Sequence, residues 1–274
     1  MTIQEMSGLA VQIRKDILEM IYRAQSGHLG GSLSIVEILV ALYWKVLKID
    51  PSNPGWEERD RFVLSKGHTA PALYAALAER GYFDRELLFT TYRRIHSTLQ
   101  GHPDMKKTPG IDMSSGSLGI GLSTACGMAL ASKKTGSGYR VYSIVGDGES
   151  NEGQIWEAAM FAAHNRLDNL IAFVDINRMQ NDGFSKDVMD MGDMKAKWKA
   201  FGWYTQEIDG HDIPAILQAV EFAQAVQEKP SVILCHTTKG KGVSFMENAI
   251  RFHGGSPSLE EYRNACVEIE GGCA

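Results

Sequence analysis

Apolar positions along this chain alternate between a helical period and short continuous runs. Leu9, Ile13, Ile17 and Ile21 recur at helical spacing, which predicts an amphipathic helix over residues 4–24. Ser26-Gly27-His28-Leu29-Gly30-Gly31 breaks it. Ser34 followed by Glu37 reads as a capping box opening a second helix over 35–47. Arg61 to Ser65 is a short strand candidate and Thr69 to Arg80 a helix. Residues 96–119 are loop-rich, and Gly121 to Lys133, rich in small residues, is predicted as a tightly packed helix. Arg140 to Val145 (R-V-Y-S-I-V) and Asn169 to Ile176 are apolar runs that read as buried strands. Between them, Glu152 to Asn165 has helical composition. After a methionine-bearing excursion at 178–195 come a strand at Trp203 to Ile208 and a helix capped by Asp212 with Pro214 in its first turn. A last strand, Ser231 to Cys235, leads into the glycine-rich run Lys239-Gly240-Lys241-Gly242, expected to be flexible. The tail from Glu270 to Ala274 is expected to fray.

Strands alternating with helices, each strand apolar throughout, predict an α/β fold: a mostly parallel twisted sheet with helices on both faces. No repeat, linker or low-complexity tract divides residues 1–274, so a single domain is expected. Composition leaves this picture in place. The 274 residues are 44% hydrophobic and 22% charged, with a formal net charge of −5. No long basic run offers a nucleic-acid footprint. No apolar run reaches the length of a membrane span, and the start M-T-I-Q-E-M is not a secretory signal, so a cytoplasmic location is expected. Cys126, Cys235, Cys266 and Cys273 form no C-x-x-C pair, which favours reduced thiols over a zinc site.

The chemistry concentrates at Gly146-Asp147-Gly148-Glu149 and at Asn177. A strand-helix-strand unit of this length forms a crossover that brings Asp147 and Asn177 to adjacent carboxyl ends if the strands are neighbours. Open parallel sheets bind ligands there. A carboxylate and an amide carbonyl are hard oxygen donors that suit Mg²⁺, which shares its shell with diphosphate oxygens and water. A backbone carbonyl near Met179 could fill another position. Gly146 and Gly148 let backbone approach phosphate, and the following helix offers free N–H groups and a positive dipole end.

Four of eight histidines sit in glycine-flanked loops: His28, His68, His102 and His253. Imidazole moves protons near neutral pH and hydrogen-bonds sugar hydroxyls or phosphate, so these four are candidate functional groups. His96, His164, His211 and His236 lack that setting, and most of them are expected to be structural.

Taken in order, S-G-H-L-G-G (26–31), D-R-F-V-L-S-K-G-H (60–68), G-H-P-D (101–104), S-G-S-L-G-I-G-L (115–122), G-D-G-E-S-N-E-G-Q-I-W-E (146–157), D-I-N-R-M-Q-N-D-G (175–183), I-D-G-H-D (208–212), K-G-K-G-V (239–243) and F-H-G-G (252–255) resemble the N-terminal thiamine diphosphate-binding domain of transketolase. The resemblance runs through nearly the whole chain. It implies the thiamine diphosphate-binding fold and that cofactor. Asp147 and Asn177 would bind Mg²⁺, for which Ca²⁺ or Mn²⁺ could substitute, with Met179 adding its carbonyl. Gly148 and His68 would contact the diphosphate, with Gly146, Glu149 and Asn177 beside it. Leu118, with Gly116 in the same loop, would lie near the aminopyrimidine. His28, His102 and His253 would face the sugar. Glu152 matches a glutamate of the subunit interface that belongs to an acidic network linking paired active sites.

In that family a second domain carries the glutamate that protonates the aminopyrimidine, together with sugar-phosphate-binding arginines. This chain ends before one could fit. The resemblance therefore implies one subunit of a split transketolase, active only with a C-terminal partner, in an α₂β₂ assembly acting on sugar phosphates or other anionic sugars. Leu29, Ile120, Gln180 and Asn181 depart from the family's usual residues and spare the metal ligands. Two alternatives stay open: another thiamine enzyme subunit, of the 2-oxoacid dehydrogenase α or deoxyxylulose-phosphate synthase type, and a non-catalytic assembly subunit.

Overall fold

A computed structural model describes residues 1–271. Five strands, β1 (Arg61–Leu64), β2 (Val141–Gly146), β3 (Leu170–Ile176), β4 (Tyr204–Asp209) and β5 (Ser231–His236), form one sheet in the order β1-β2-β3-β5-β4. Every neighbouring pair is parallel. The α/β architecture expected from the sequence is therefore the one observed.

Alternate strand residues feed two cores. Phe62, Leu64, Tyr142, Ile144, Ile171, Phe173, Ile233 and Cys235 face α1 (Ile3–Ala24), α2 (Leu29–Leu33), α3 (Val36–Ala41), α4 (Ala70–Arg80), α5 (Glu86–Thr90) and, further along the chain, the helix Ile213–Ala225. Val63, Val141, Val145, Ala172, Val174, Val232 and Leu234 face α6 (Ile120–Thr135), α7 (Gly153–His164) and the helix Met194–Ala200. β1, β2, β3 and β5 are sealed from water on both faces, which explains their lack of polar alternation, whereas the edge strand β4 is polar and partly exposed.

Local signals set the boundaries. Thr2 and Glu5 form a capping box on α1. Gly81 closes α4 at φ +92°, and Gly119 opens α6 at φ +87°. Two short helices follow β3, α8 (Ser185–Val188) and α9 (Met194–Ala200). Asp212 caps α10 (Ile213–Ala225) by accepting from Ala215 N–H at 3.3 Å, as its position before Pro214 suggested.

Three expectations are corrected. The predicted helix at 35–47 is α3 followed by a π-helical turn, Leu42–Val46, and Ser34 does not cap it. The Ser34 hydroxyl bonds Gly31 O and Asp175 instead. The run at 239–242 is not loose. Lys239 is buried, Gly240 N–H donates to Gly30 O at 2.9 Å, and a Cβ on Gly240 would lie 2.3 Å from Met246 O. The region after 258 forms α11 (Leu259–Gly271), which packs on α1 and includes Glu270. The rest of the tail expected to fray, with Cys273, lies outside the described residues.

Candidate active site

Parallel strands deliver their chemistry to one edge. Ser65 to His68 follow β1, Asp147 follows β2, Asn177 follows β3 and Thr237 to Lys239 follow β5. Asp147 N–H donates to Asp175 O at 3.1 Å, so the β2 and β3 tips are adjacent. A cleft of about 370 Å³ opens there. Its lining includes His28, His68, Gly116, Leu118, Gly146 and Gly148, with Asp147, Glu149, Asn177, Met179 and His253.

Asp147 is 5% exposed. Its carboxylate accepts from Gly148 N–H at 2.8 Å and from Arg178 N–H at 2.7 Å. Burial and the neighbouring Asp175 carboxylate push its pKa up to about 6. The Asn177 amide turns its NH₂ to Asp175 at 2.8 Å and its Oδ1 to Met179 N–H at 3.1 Å. A buried carboxylate raised by a second carboxylate, beside an anchored amide oxygen, fits a divalent cation. The Met179 carbonyl accepts from Lys239 Nζ at 3.3 Å and keeps a second lone pair. Two side chains and one carbonyl fall short of a full shell, so water or ligand oxygens would have to complete it. Among the described residues no cluster of three His, Cys, Asp or Glu offers an alternative metal site.

Three histidines converge from distant segments. The ring centroids of His28 and His68 lie 5.1 Å apart, and His253 is 5.6 Å from each. Burial, with neighbouring cationic groups, holds all three well below the usual 6.5: His28 at about 4, His68 at about 2 and His253 at about 3. The rings are neutral at physiological pH and can both donate and accept. The Lys239 ammonium donates to His253 Nδ1 at 2.6 Å, which leaves the ring proton on Nε2. Burial lowers Lys239 to about 8. His28 Nδ1 and Ser115 Oγ are buried without a hydrogen-bond partner, a state that a bound ligand would relieve.

Glu149 lines the cleft, but its oxygens are committed inside the protein. Oε1 accepts from Ser65 Oγ at 2.5 Å and Gly119 N–H at 2.9 Å, and Oε2 from Gly146 N–H at 3.0 Å. A Cβ on Gly148 would lie 2.9 Å from Gln180 Cγ, which explains glycine there.

Two candidates lie outside the cleft lining. His102 is exposed and packs over Gly116, whose Cβ would meet it at 3.4 Å, so it stands at the rim. Glu152 is exposed and leads into α7 beside Gly119. A 3₁₀ turn, Glu149–Asn151, stands between Asp147 and α7, whose first residues Gly153 and Gln154 are exposed and are not among the cleft lining. Sequence reasoning missed Lys66, Lys239 and Asp175. Each is buried and sits at or beneath the cleft. Their signal was weak, because a lysine beside glycine in a loop reads as a solvated charge.

The family described as transketolase, thiamine diphosphate binding domain, matches residues 6–267. The chain belongs to the transketolase family. One relative from Clostridium sp. (strain MSTE9), 6-deoxy-6-sulfo-D-fructose transketolase subunit SqwG, is 54% identical over 94% of both chains. An apulose-4-phosphate transketolase subunit from Phocaeicola vulgatus is 42% identical, covering 93% of this chain and 90% of its own. Among solved structures, transketolase from Leishmania mexicana superposes with a TM-score of 0.93 at 29% identity, covering 97% of this chain and 41% of that one. Campylobacter jejuni transketolase gives 0.92 at 32%, covering 98% and 43%. The chain thus spans about two fifths of those transketolases and nearly all of the named subunits.

Proposed function

We propose that this transketolase-family chain is the N-terminal, cofactor-holding subunit of a split transketolase. It transfers a two-carbon ketol unit from a ketose to an aldose when joined to a C-terminal partner, in an α₂β₂ assembly in the cytoplasm. The observation that carries the reading is the buried Asp147 carboxylate beside the Asn177 amide, in one cleft with His28, His68 and His253. A scaffold needs none of these groups there.

Asp147, Asn177 and the Met179 carbonyl would hold Mg²⁺, or Ca²⁺ or Mn²⁺ in its place, for the diphosphate of thiamine diphosphate, and Gly148 and His68 would contact the phosphates. Thiamine diphosphate, when bound, would supply the electron sink for cleaving and re-forming a bond next to a carbonyl. The chain's own side chains steer protons. Neutral His28 and His253 take and return hydroxyl protons of the sugar, and His102, at the rim, holds the ketol end. Leu118, 37% exposed, lines the cleft where the partner's pyrimidine-binding domain would cover it, and Ile120, 44% exposed, follows two residues on. Glu152 lies on the same side, suited to the subunit interface.

The relatives named for 6-deoxy-6-sulfo-D-fructose and apulose 4-phosphate favour a ketose with an anionic far end. The test is reconstitution with a candidate C-terminal subunit, Mg²⁺ and thiamine diphosphate. Ketol transfer from 6-deoxy-6-sulfo-D-fructose or fructose 6-phosphate to an aldose phosphate is followed by mass spectrometry. Activity only with both subunits supports the reading. Pyruvate decarboxylation without ketol transfer, or turnover by this chain alone, overturns it.

A further inference from the structure

Asp175 is fully buried, and its carboxylate is the meeting point of four side chains. Ser34 Oγ donates to it at 2.7 Å, Lys66 Nζ at 2.5 Å and Asn177 Nδ2 at 2.8 Å, while Thr237 Oγ1 donates to the other oxygen. Those residues come from the α2–α3 connection and the ends of β1, β3 and β5.

An asparagine side chain has two nearly isosteric ends, and only the oxygen can ligate a cation. We propose that Asp175 is a positioning residue that selects which end of Asn177 faces the cation site. The inference rests on the metal-site reading above. An ionised carboxylate only accepts hydrogen bonds, so the Asn177 end beside it must be the NH₂. The other contact agrees, since Asn177 Oδ1 accepts from Met179 N–H. A flipped amide would set oxygen against carboxylate and NH₂ against N–H, so both contacts would turn repulsive. Lys66 balances the Asp175 charge and also donates to Gly31 O at 3.3 Å. Ser34, Lys66 and Thr237 all donate to the carboxylate, so every protein contact treats it as an acceptor and the amide is oriented before any cation arrives.

The test is a double-mutant cycle read as Mg²⁺-dependent thiamine diphosphate affinity by calorimetry, on the full chain with its partner. Asp175→Asn, which no longer dictates the amide's orientation, should weaken binding about 10–100-fold, as changes to groups that orient metal ligands do. An alanine at 177 has no amide to orient. In an Asn177→Ala background, Asp175→Asn should therefore cost less than about threefold in the remaining affinity, giving a large coupling. Equal losses in both backgrounds would reduce Asp175 to a general structural role and overturn the proposal. Asp147→Asn is the control: if it leaves the Mg²⁺ dependence unchanged, the metal-site reading fails instead. Should Asp175→Asn not fold, the unmutated chain still decides. With ¹⁵N-asparagine labelling, the Asn177 NH₂ resonances should keep their hydrogen-bonded shifts when Mg²⁺ and thiamine diphosphate are added. Shifts that move to those of a free amide on loading would overturn the proposal.

Discussion

The Glu149 carboxylate accepts the Gly119 backbone N–H at 2.9 Å and so ties the start of α6 to the tip of β2. Its other bonds, to Ser65 and Gly146, make it the clasp of one cleft wall. Glutamine at this position would set an NH₂ against at least one N–H donor. Glu149→Gln should destabilise the chain by about 1–3 kcal/mol, the cost of an unsatisfied buried donor. Melting temperature measures the loss, and the cofactor affinity of the variant should fall with it as the Gly119 loop loosens.

Asp147 differs, because its charge is buried and opposed by Asp175. Asp147→Asn sets an NH₂ against the Gly148 or Arg178 N–H but relieves that repulsion, so the melting temperature of the cofactor-free chain should change less than in Glu149→Gln. The same substitution should weaken Mg²⁺-dependent cofactor binding by more than the ~10–100-fold that outer-shell changes cost. Because cation binding needs the ionised form, affinity should rise with pH through about 6. Calorimetry near that pH, in two buffers of different ionisation enthalpy, should reveal proton release on binding. Buffer-independent heats would refute the protonated starting state.

Stability should depend on pH through the histidine cluster. The folded values of His28, His68 and His253 lie below the ordinary 6.5, so between about 4 and 6.5 the unfolded chain binds more protons than the folded one. Their stabilisation is complete above 6.5 and is lost as pH falls below it. Asp147, raised from 3.8 to about 6, works in the other direction over part of the same window. Asp60, Glu79, Asp112 and Glu149, also raised by burial, act with Asp147, but the three histidines are displaced further, so the melting temperature should drop from about pH 7 to about pH 5. Replacing His68 by Gln should flatten that slope.

His253→Ala should slow turnover of the assembled enzyme while leaving thiamine diphosphate affinity close to that of the parent. Its ring meets Lys239, His28 and His68 and bonds neither Asp147 nor Asn177. Loss of cofactor binding with an unchanged saturated rate would reverse the assigned role.

Much of this architecture could be read from residue order, but one pattern shows where reading stops. Ser or Thr followed three positions later by Glu occurs at four places, three of them Thr2/Glu5, Ser34/Glu37 and Ser258/Glu261. The first and last are true capping boxes on exposed helix starts. Ser34 and Glu37 are buried, and tertiary partners claim them: Asp175 takes the hydroxyl, and Arg14 and His211 take the carboxylate. Local chemistry predicts local structure only where nothing distant competes. The same limit applies to the site. Asp147 and Asn177 were legible because one strand-helix-strand unit spans them. Lys66, Asp175 and Lys239 acquire meaning only when β1, β3 and β5 come side by side.

His28 and His253 meet although most of this sequence separates them, and Gly30 and Gly240 are joined by a backbone hydrogen bond. A nascent chain still on the ribosome therefore has no completed cleft until His253 and the residues that seat it have emerged. Products terminated before His253 would lack one wall of that cleft.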